Sequence, residues 1–125
     1  MKILLAEDDP SIVYITKTCL EKLGGHQVVV TTDGEQALAQ ALAEPFDLII
    51  LDGMMPKKSG LQVATEYRLT SKSKTPIIFL SARNEEKEIE KYYELGGGFI
   101  SKPFDPMKIC KEIDVLFLKL MKVAG

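Results

Sequence analysis

The chain has 125 residues, 46% of them hydrophobic and 27% charged, with a formal net charge of −2. That is the balance of one ordinary globular domain, neither disordered nor collagen-like, and long enough to bury a core without disulfide or metal staples. Its longest apolar stretches, such as Ile77-Ile78-Phe79-Leu80, are far short of the ~20 residues of a membrane span or the roughly 7–15 of a secretory leader's core.

The two cysteines, Cys19 and Cys110, are far apart and belong to no C-x-x-C or histidine cluster, so they read as small buried thiols in a reducing cytoplasm. Residues 1–56 hold nine acids and three bases, whereas residues 57–125 hold nine acids and thirteen bases. No Lys/Arg-rich run occurs, which excludes an electrostatic case for direct nucleic-acid binding. The acidic half carries the interest.

Short β-rich apolar runs alternate with helical patterns. The first strand is expected at Lys2–Ala6, and Asp9-Pro10 then reads as an N-cap with proline at the first helical position. Ile12, Thr16, Cys19, Leu20 and Leu23 recur at helical spacing until Gly24-Gly25. A second strand, Gln27–Thr31, precedes a helix capped by Asp33 and carrying Ala37, Leu38, Ala41 and Leu42. The third strand is Leu48–Leu51, and its helix follows Gly60 with Leu61, Ala64 and Leu69. Strand four is Ile77–Leu80, with a helix over about Asn84–Leu95. Strand five is Gly98–Ser101, and the last helix is expected to start near Asp105-Pro106. Continuous apolar runs suit parallel strands buried on both faces. Five β–α units give a single doubly wound α/β domain, a five-stranded parallel sheet with helices on both faces.

That fold class locates the function. Ligands of open α/β sheets bind beyond the carboxyl ends of the strands, where strand order reverses. The residues there are Glu7-Asp8-Asp9, Asp52, Ser81 and Lys102. Clustered carboxylates need a cation, and a donor set of hard oxygens suits Mg²⁺. An ionised carboxylate beside such an ion can attack phosphorus, while a lysine and a hydroxyl balance the phosphoryl oxygens. No general base is required. Neither G-x-G-x-x-G nor G-x-x-x-x-G-K-[ST] is present, which disfavours nucleotide binding.

Glu7-Asp8-Asp9-Pro10, Asp52-Gly53-Met54-Met55-Pro56 with Gly60, Ser81-Ala82 and Lys102-Pro103-Phe104 together resemble the receiver domain of bacterial two-component response regulators, a CheY-like, flavodoxin-like fold. The resemblance runs over essentially the whole chain. It implies that Asp52 is the phosphoacceptor and that Asp8, Asp9, Asp52 and the backbone carbonyl of Met54 hold Mg²⁺. It implies further that Ser81 is the hydroxyl that moves toward the phosphoryl group, that Lys102 pairs with it, and that Phe99 occupies the aromatic switch position. The Lys102–Pro103 bond is expected to be cis. The implied partners are a histidine kinase or histidine phosphotransfer protein upstream, and downstream a protein or a second copy meeting the face of the fourth helix, fifth strand and fifth helix. The 125 residues leave no output domain in this chain, and neither DNA nor membrane is an expected partner. The location implied is cytoplasmic, and the domain is a signalling phosphoacceptor rather than a turnover enzyme.

There are departures. Ser81 stands where threonine is commoner, and Leu95-Gly96-Gly97-Gly98-Phe99 is one residue shorter than the usual loop and lacks its acids. Met54 and Arg83 sit at positions that vary in the family and tune the lifetime of the phosphoryl group. Plainer readings stand beside these: Asp9 as a helix cap, Phe99 as a core aromatic, His26 as a surface loop residue. In the last helix, Ile109, Ile113, Leu116 and Leu120 form a core stripe broadened by Cys110, Phe117 and Met121, with Val115 and Leu118 opposite. The rival functions are a pseudo-receiver that binds without phosphorylation and a haloacid-dehalogenase-type phosphatase, whose second acid is Met54 here.

Overall fold

The computed structural model describes residues 1–82 and 86–124, and the side chains of 1–82 and 86–122. The expected start of the fourth helix at Asn84, and Arg83, lie outside the described residues. Five strands form one sheet: β1 (Lys2–Ala6), β2 (Gln27–Thr31), β3 (Leu48–Asp52), β4 (Ile77–Ser81) and β5 (Gly97–Ser101). All are parallel, in the order β2-β1-β3-β4-β5. The order reverses between β1 and β3, which puts the binding crevice at their carboxyl ends.

Every residue of β3 and β4 is buried, as a strand covered on both faces requires. Alternate side chains feed two cores. Leu4, Ile49, Leu51, Ile77 and Phe79 pack under α2 (Gly34–Ala43), α3 (Gly60–Ser71) and α4 (Glu86–Glu94). Ile3, Leu5, Ile50, Ile78 and Leu80 pack under α1 (Pro10–Thr18) and α5 (Ile109–Ala124). The register sets Ala6 beside Thr31 and Leu51, Asp52 beside Leu80, and Ser81 beside Ser101, so the five strands end within two residues of one another at one rim.

Local chemistry fixes most helix starts. Asp9 accepts from Ser11 N–H to cap α1, Asp33 accepts from Gln36 N–H to cap α2, and Ser59 with Gln62 forms a complete capping box on α3. Three expectations are corrected. The first helix does not run regularly to Gly24; residues Cys19–Leu23 form a π-helical turn, with Gly24 N–H donating five residues back to the Cys19 carbonyl. The wider turn keeps Leu20 inside and swings Leu23 out to 80% exposure. In α3 the core position goes to Tyr67 while Leu69 faces solvent. The last helix begins at Ile109, not near Asp105-Pro106, because Asp105 is spent on a preceding turn. Its side chain accepts from Met107 N–H, and its carbonyl accepts from Lys108 and Ile109 N–H.

Both cysteines are free, and Cys110 Sγ donates to the Cys19 carbonyl at 3.4 Å. Burial, then the Cys110 thiol beside it, push the Cys19 thiol up to about 12. His26 is half-buried, its Nδ1 3.1 Å from the amino terminus. On α5, Ile109 and Ile113 are fully buried and Leu116, Leu120 and Phe117 half-buried, while Val115 and Leu118 face out. Among the described residues no helix is long and apolar enough to cross a membrane.

Candidate functional site

Each strand that ends at the carboxyl rim delivers one chemical group. β1 ends at Ala6, and Glu7 N–H still donates to the Thr31 carbonyl, so Glu7 continues the strand's course inward and is 0% exposed. Its Oε2 accepts from the N–H groups of Asp8 and Asp9 at 3.0 and 3.2 Å. Asp52 closes β3, buried, with its Oδ1 accepting from Met54 N–H at 3.1 Å. Ser81 closes β4, and its carbonyl accepts from Lys102 N–H at 2.9 Å. Lys102 follows β5, and its bond to Pro103 is cis.

The side chains converge. Lys102 Nζ lies 2.8 Å from Glu7 Oε1 and 3.1 Å from Asp52 Oδ1. A ligand oxygen from each of Glu7, Asp8 and Asp52 falls within 4.8 Å of the others. Burial, then a hydrogen bond to Asp52, push the Glu7 carboxyl up to about 7, against the pull of Lys102. Burial alone would lower the Lys102 ammonium, but the hydrogen bonds and charges of Glu7 and Asp52 outweigh it and raise it. One ammonium therefore pairs with two buried carboxyl groups, with the Asp8 carboxylate close by, so the cluster holds more acid than base. A divalent cation that prefers oxygen ligands fits this deficit, and the donor set matches Mg²⁺.

The geometry divides the three consecutive acids differently from the sequence reading. The structure brings Asp8 together with Asp52 and Glu7, and Asp9 is not in that group. The Asp9 carboxylate faces solvent at the start of α1, accepting from Ser11 N–H and Oγ at 2.9 and 2.7 Å, and those hydrogen bonds hold its carboxyl below the usual range. The cause is the strand boundary: β1 stops one residue before Glu7, so Glu7 inherits the inward direction and Asp9 the helix cap. The signal was available in Asp9-Pro10, a capping sequence that already gave Asp9 other work. Met54 is exposed and contributes its N–H to Asp52. Phe99 is half-buried with its ring 5.7 Å from that of Tyr92.

Residues 3–114 match the family model described as response regulator receiver domain. The chain belongs to this family. Receiver domains are the signal-accepting modules of two-component systems, and this one shows their CheY-like fold in full. It is 39% identical over 109 residues to the alkaline phosphatase synthesis transcriptional regulatory protein PhoP of Bacillus subtilis, covering 86% of this chain and 45% of PhoP. The receiver chain thus spans about half the length of the curated relatives it matches. Among solved structures, chemotaxis protein CheY4 of Vibrio cholerae superimposes with a TM-score of 0.83 at 31% identity, covering 92% of this chain and 97% of that one. The receiver domain of sensor histidine kinase PA1611 from Pseudomonas aeruginosa, determined with a magnesium ion in its active-site cleft, superimposes with a TM-score of 0.79 at 27% identity, covering 93% and 96%.

Proposed function

We propose that this receiver domain accepts a phosphoryl group on Asp52, in a Mg²⁺-dependent reaction, from a phosphohistidine of a histidine kinase or phosphotransfer protein. An Asp52 carboxylate oxygen attacks phosphorus, the P–N bond of the donor breaks, and the imidazole nitrogen leaves with the bonding pair. The observation that carries the reading is the meeting of Glu7, Asp8, Asp52 and Lys102 at one rim, three acids answered by one base.

Glu7, Asp8 and Asp52, with the Met54 carbonyl implied by the family, would hold the ion, which supplies charge neutralisation for the incoming phosphoryl oxygens. Asp9 is the weaker candidate of the three acids, since Ser11 occupies it. Lys102 moves its ammonium from the carboxylates to a phosphoryl oxygen. Met54 N–H, already on Asp52 Oδ1, orients the nucleophile. Ser81, at the end of the neighbouring strand, offers its hydroxyl to the same group, and Phe99 follows that movement as the switch aromatic. Residues 1–125 act as one phosphoaccepting domain. It is a signalling switch rather than a turnover enzyme, working in the cytoplasm and passing its state to a protein, or to a second copy, across α4, β5 and α5. Nucleic acid and membrane are not its partners.

Incubation with Mg²⁺ and acetyl phosphate, followed by intact mass, tests this. One added phosphoryl group that is lost in Asp52→Asn is the expected result. No adduct in the unaltered protein would favour a phosphorylation-free interaction module instead.

A further inference from the structure

α4 is seated on the domain by one side chain. Tyr92 is its only fully buried residue among those described, at 0% exposure, whereas Tyr93 is 59% exposed and Ile89 half-buried. The Tyr92 ring stacks on Phe79 of β4 with centroids 4.0 Å apart and planes at 15°, and on Phe99 of β5 at 5.7 Å and 24°. It therefore fills the space between α4 and the β4–β5 edge. Two glycines make that seat. A Cβ at Gly97 would fall 2.7 Å from the Phe79 ring and 3.1 Å from the Tyr92 carbonyl oxygen. A Cβ at Gly53 would fall 2.9 Å from the Tyr92 hydroxyl oxygen and 2.5 Å from Ser81 Oγ.

The second glycine matters most, because it directly follows Asp52. The phenol end of an α4 side chain, the hydroxyl of Ser81 and the backbone after Asp52 meet at a point where a single methyl group does not fit. Close-packed interiors respond to such changes by discrete shifts of whole elements rather than by compression. The Phe99 ring stacks on the same Tyr92 ring, so a change in the position of either is felt by the other.

We infer that Tyr92 is a positioning residue coupling the Gly53–Ser81 floor of the pocket to α4 and Phe99, so that these move as one unit. The signal it would transmit rests on the phosphorylation proposed above; the mechanical coupling does not. Tyr92 is the one fully buried anchor of α4, so a displacement of the floor beneath its hydroxyl is passed to the helix.

Amide hydrogen exchange over residues 86–94, with no phosphoryl donor present, tests the coupling in the unaltered chain, Gly53→Ala, Tyr92→Phe and the double variant. Gly53→Ala should speed α4 exchange by about tenfold or more, while β1 and β3 keep their protection. In the double variant, which removes the Tyr92 oxygen but leaves the Ser81 contacts, α4 exchange should be at least about threefold slower than in Gly53→Ala alone. Unchanged α4 exchange in Gly53→Ala, or a double variant no slower than Gly53→Ala, overturns the inference.

Should Gly53→Ala unfold globally, the decision passes to Tyr92→Phe with Mg²⁺ and beryllofluoride. The activation-dependent change in α4 exchange should then shrink at least about threefold relative to the unaltered chain, with acetyl phosphate labelling of Asp52 unimpaired. An equal α4 response in both proteins overturns the coupling. Absence of any adduct in the unaltered chain overturns the phosphorylation reading instead, and the coupling is then judged by α4 exchange in Tyr92→Phe without any donor, which should rise at least about threefold; exchange equal to the unaltered chain overturns the coupling.

Discussion

The two rims of the sheet carry ion pairs of opposite character. At the amino rim Lys2 pairs with Glu44 at 2.9 Å, both side chains about a third exposed, and Lys2 N–H donates to Asp47 at 2.7 Å. At the carboxyl rim Lys102 pairs with Glu7 and Asp52, whose side chains are 0% and 6% exposed. The first arrangement is screened by water and contributes little to stability. The second is withdrawn from water, holds more acid than base, and shifts the Glu7 carboxyl to about 7. There, among the described residues, buried acid exceeds base, an imbalance that a cation can offset. The contrast teaches that function follows the rim where charge is buried in excess, not the rim where charges merely pair.

The contrast can be broken by exchanging one lysine at each rim. Lys102→Met should cost about 2 kcal/mol in a urea melt of the ion-free protein, below the 3–5 kcal/mol of a fully broken buried pair because Glu7 takes up a proton. Lys2→Met should leave the melt nearly unchanged. Equal losses at the two rims would remove the distinction.

Within the carboxyl rim, the division of labour among the three consecutive acids is open to direct measurement. Asp8→Ala should weaken Mg²⁺ binding at least about tenfold, as loss of a metal-ligating or supporting group does. Asp9→Ala should leave Mg²⁺ affinity intact and lower the melting temperature through the lost α1 cap. A large loss of Mg²⁺ affinity in Asp9→Ala would restore Asp9 to the ion.

The smallest effect lies away from both rims. In the native protein Cys110 should react with iodoacetamide at pH 8 while Cys19, buried and held as the neutral thiol, reacts only on unfolding. Equal native rates would contradict the burial of Cys19 under α5.

These outcomes track what a sequence can and cannot disclose. Four strands were legible because each is built on a run of branched or aromatic apolar residues, whereas β5 offers only Phe99 and Ile100 between two glycines and Ser101; with the strands came the placement of Asp52, Ser81 and Lys102 at the rim. Boundaries were less so. Among the three adjacent acids, the cap sequence Asp9-Pro10 was the one sign that Asp9 turns away, and the end of β1 at Ala6 makes Glu7 the residue that faces inward. Asp105-Pro106 has the form of a helix cap, yet the side chain closes a turn, and α5 waits until Ile109. The π-helical turn at Cys19–Leu23 depends on a tertiary partner, since Cys110 of α5 donates to the carbonyl at its start. The seat of Tyr92 was not legible, because it depends on two glycines distant in sequence that make room for it.

The central claim is that buried negative charge at the carboxyl rim makes Asp52 a nucleophile toward phosphorus. After exposure to acetyl phosphate and Mg²⁺, borohydride reduction converts an aspartyl phosphate to homoserine, which peptide sequencing by mass spectrometry can place. The account predicts homoserine at position 52 alone, and none when a chelator replaces Mg²⁺. Homoserine at another acid, or the same yield with chelator present, would contradict it.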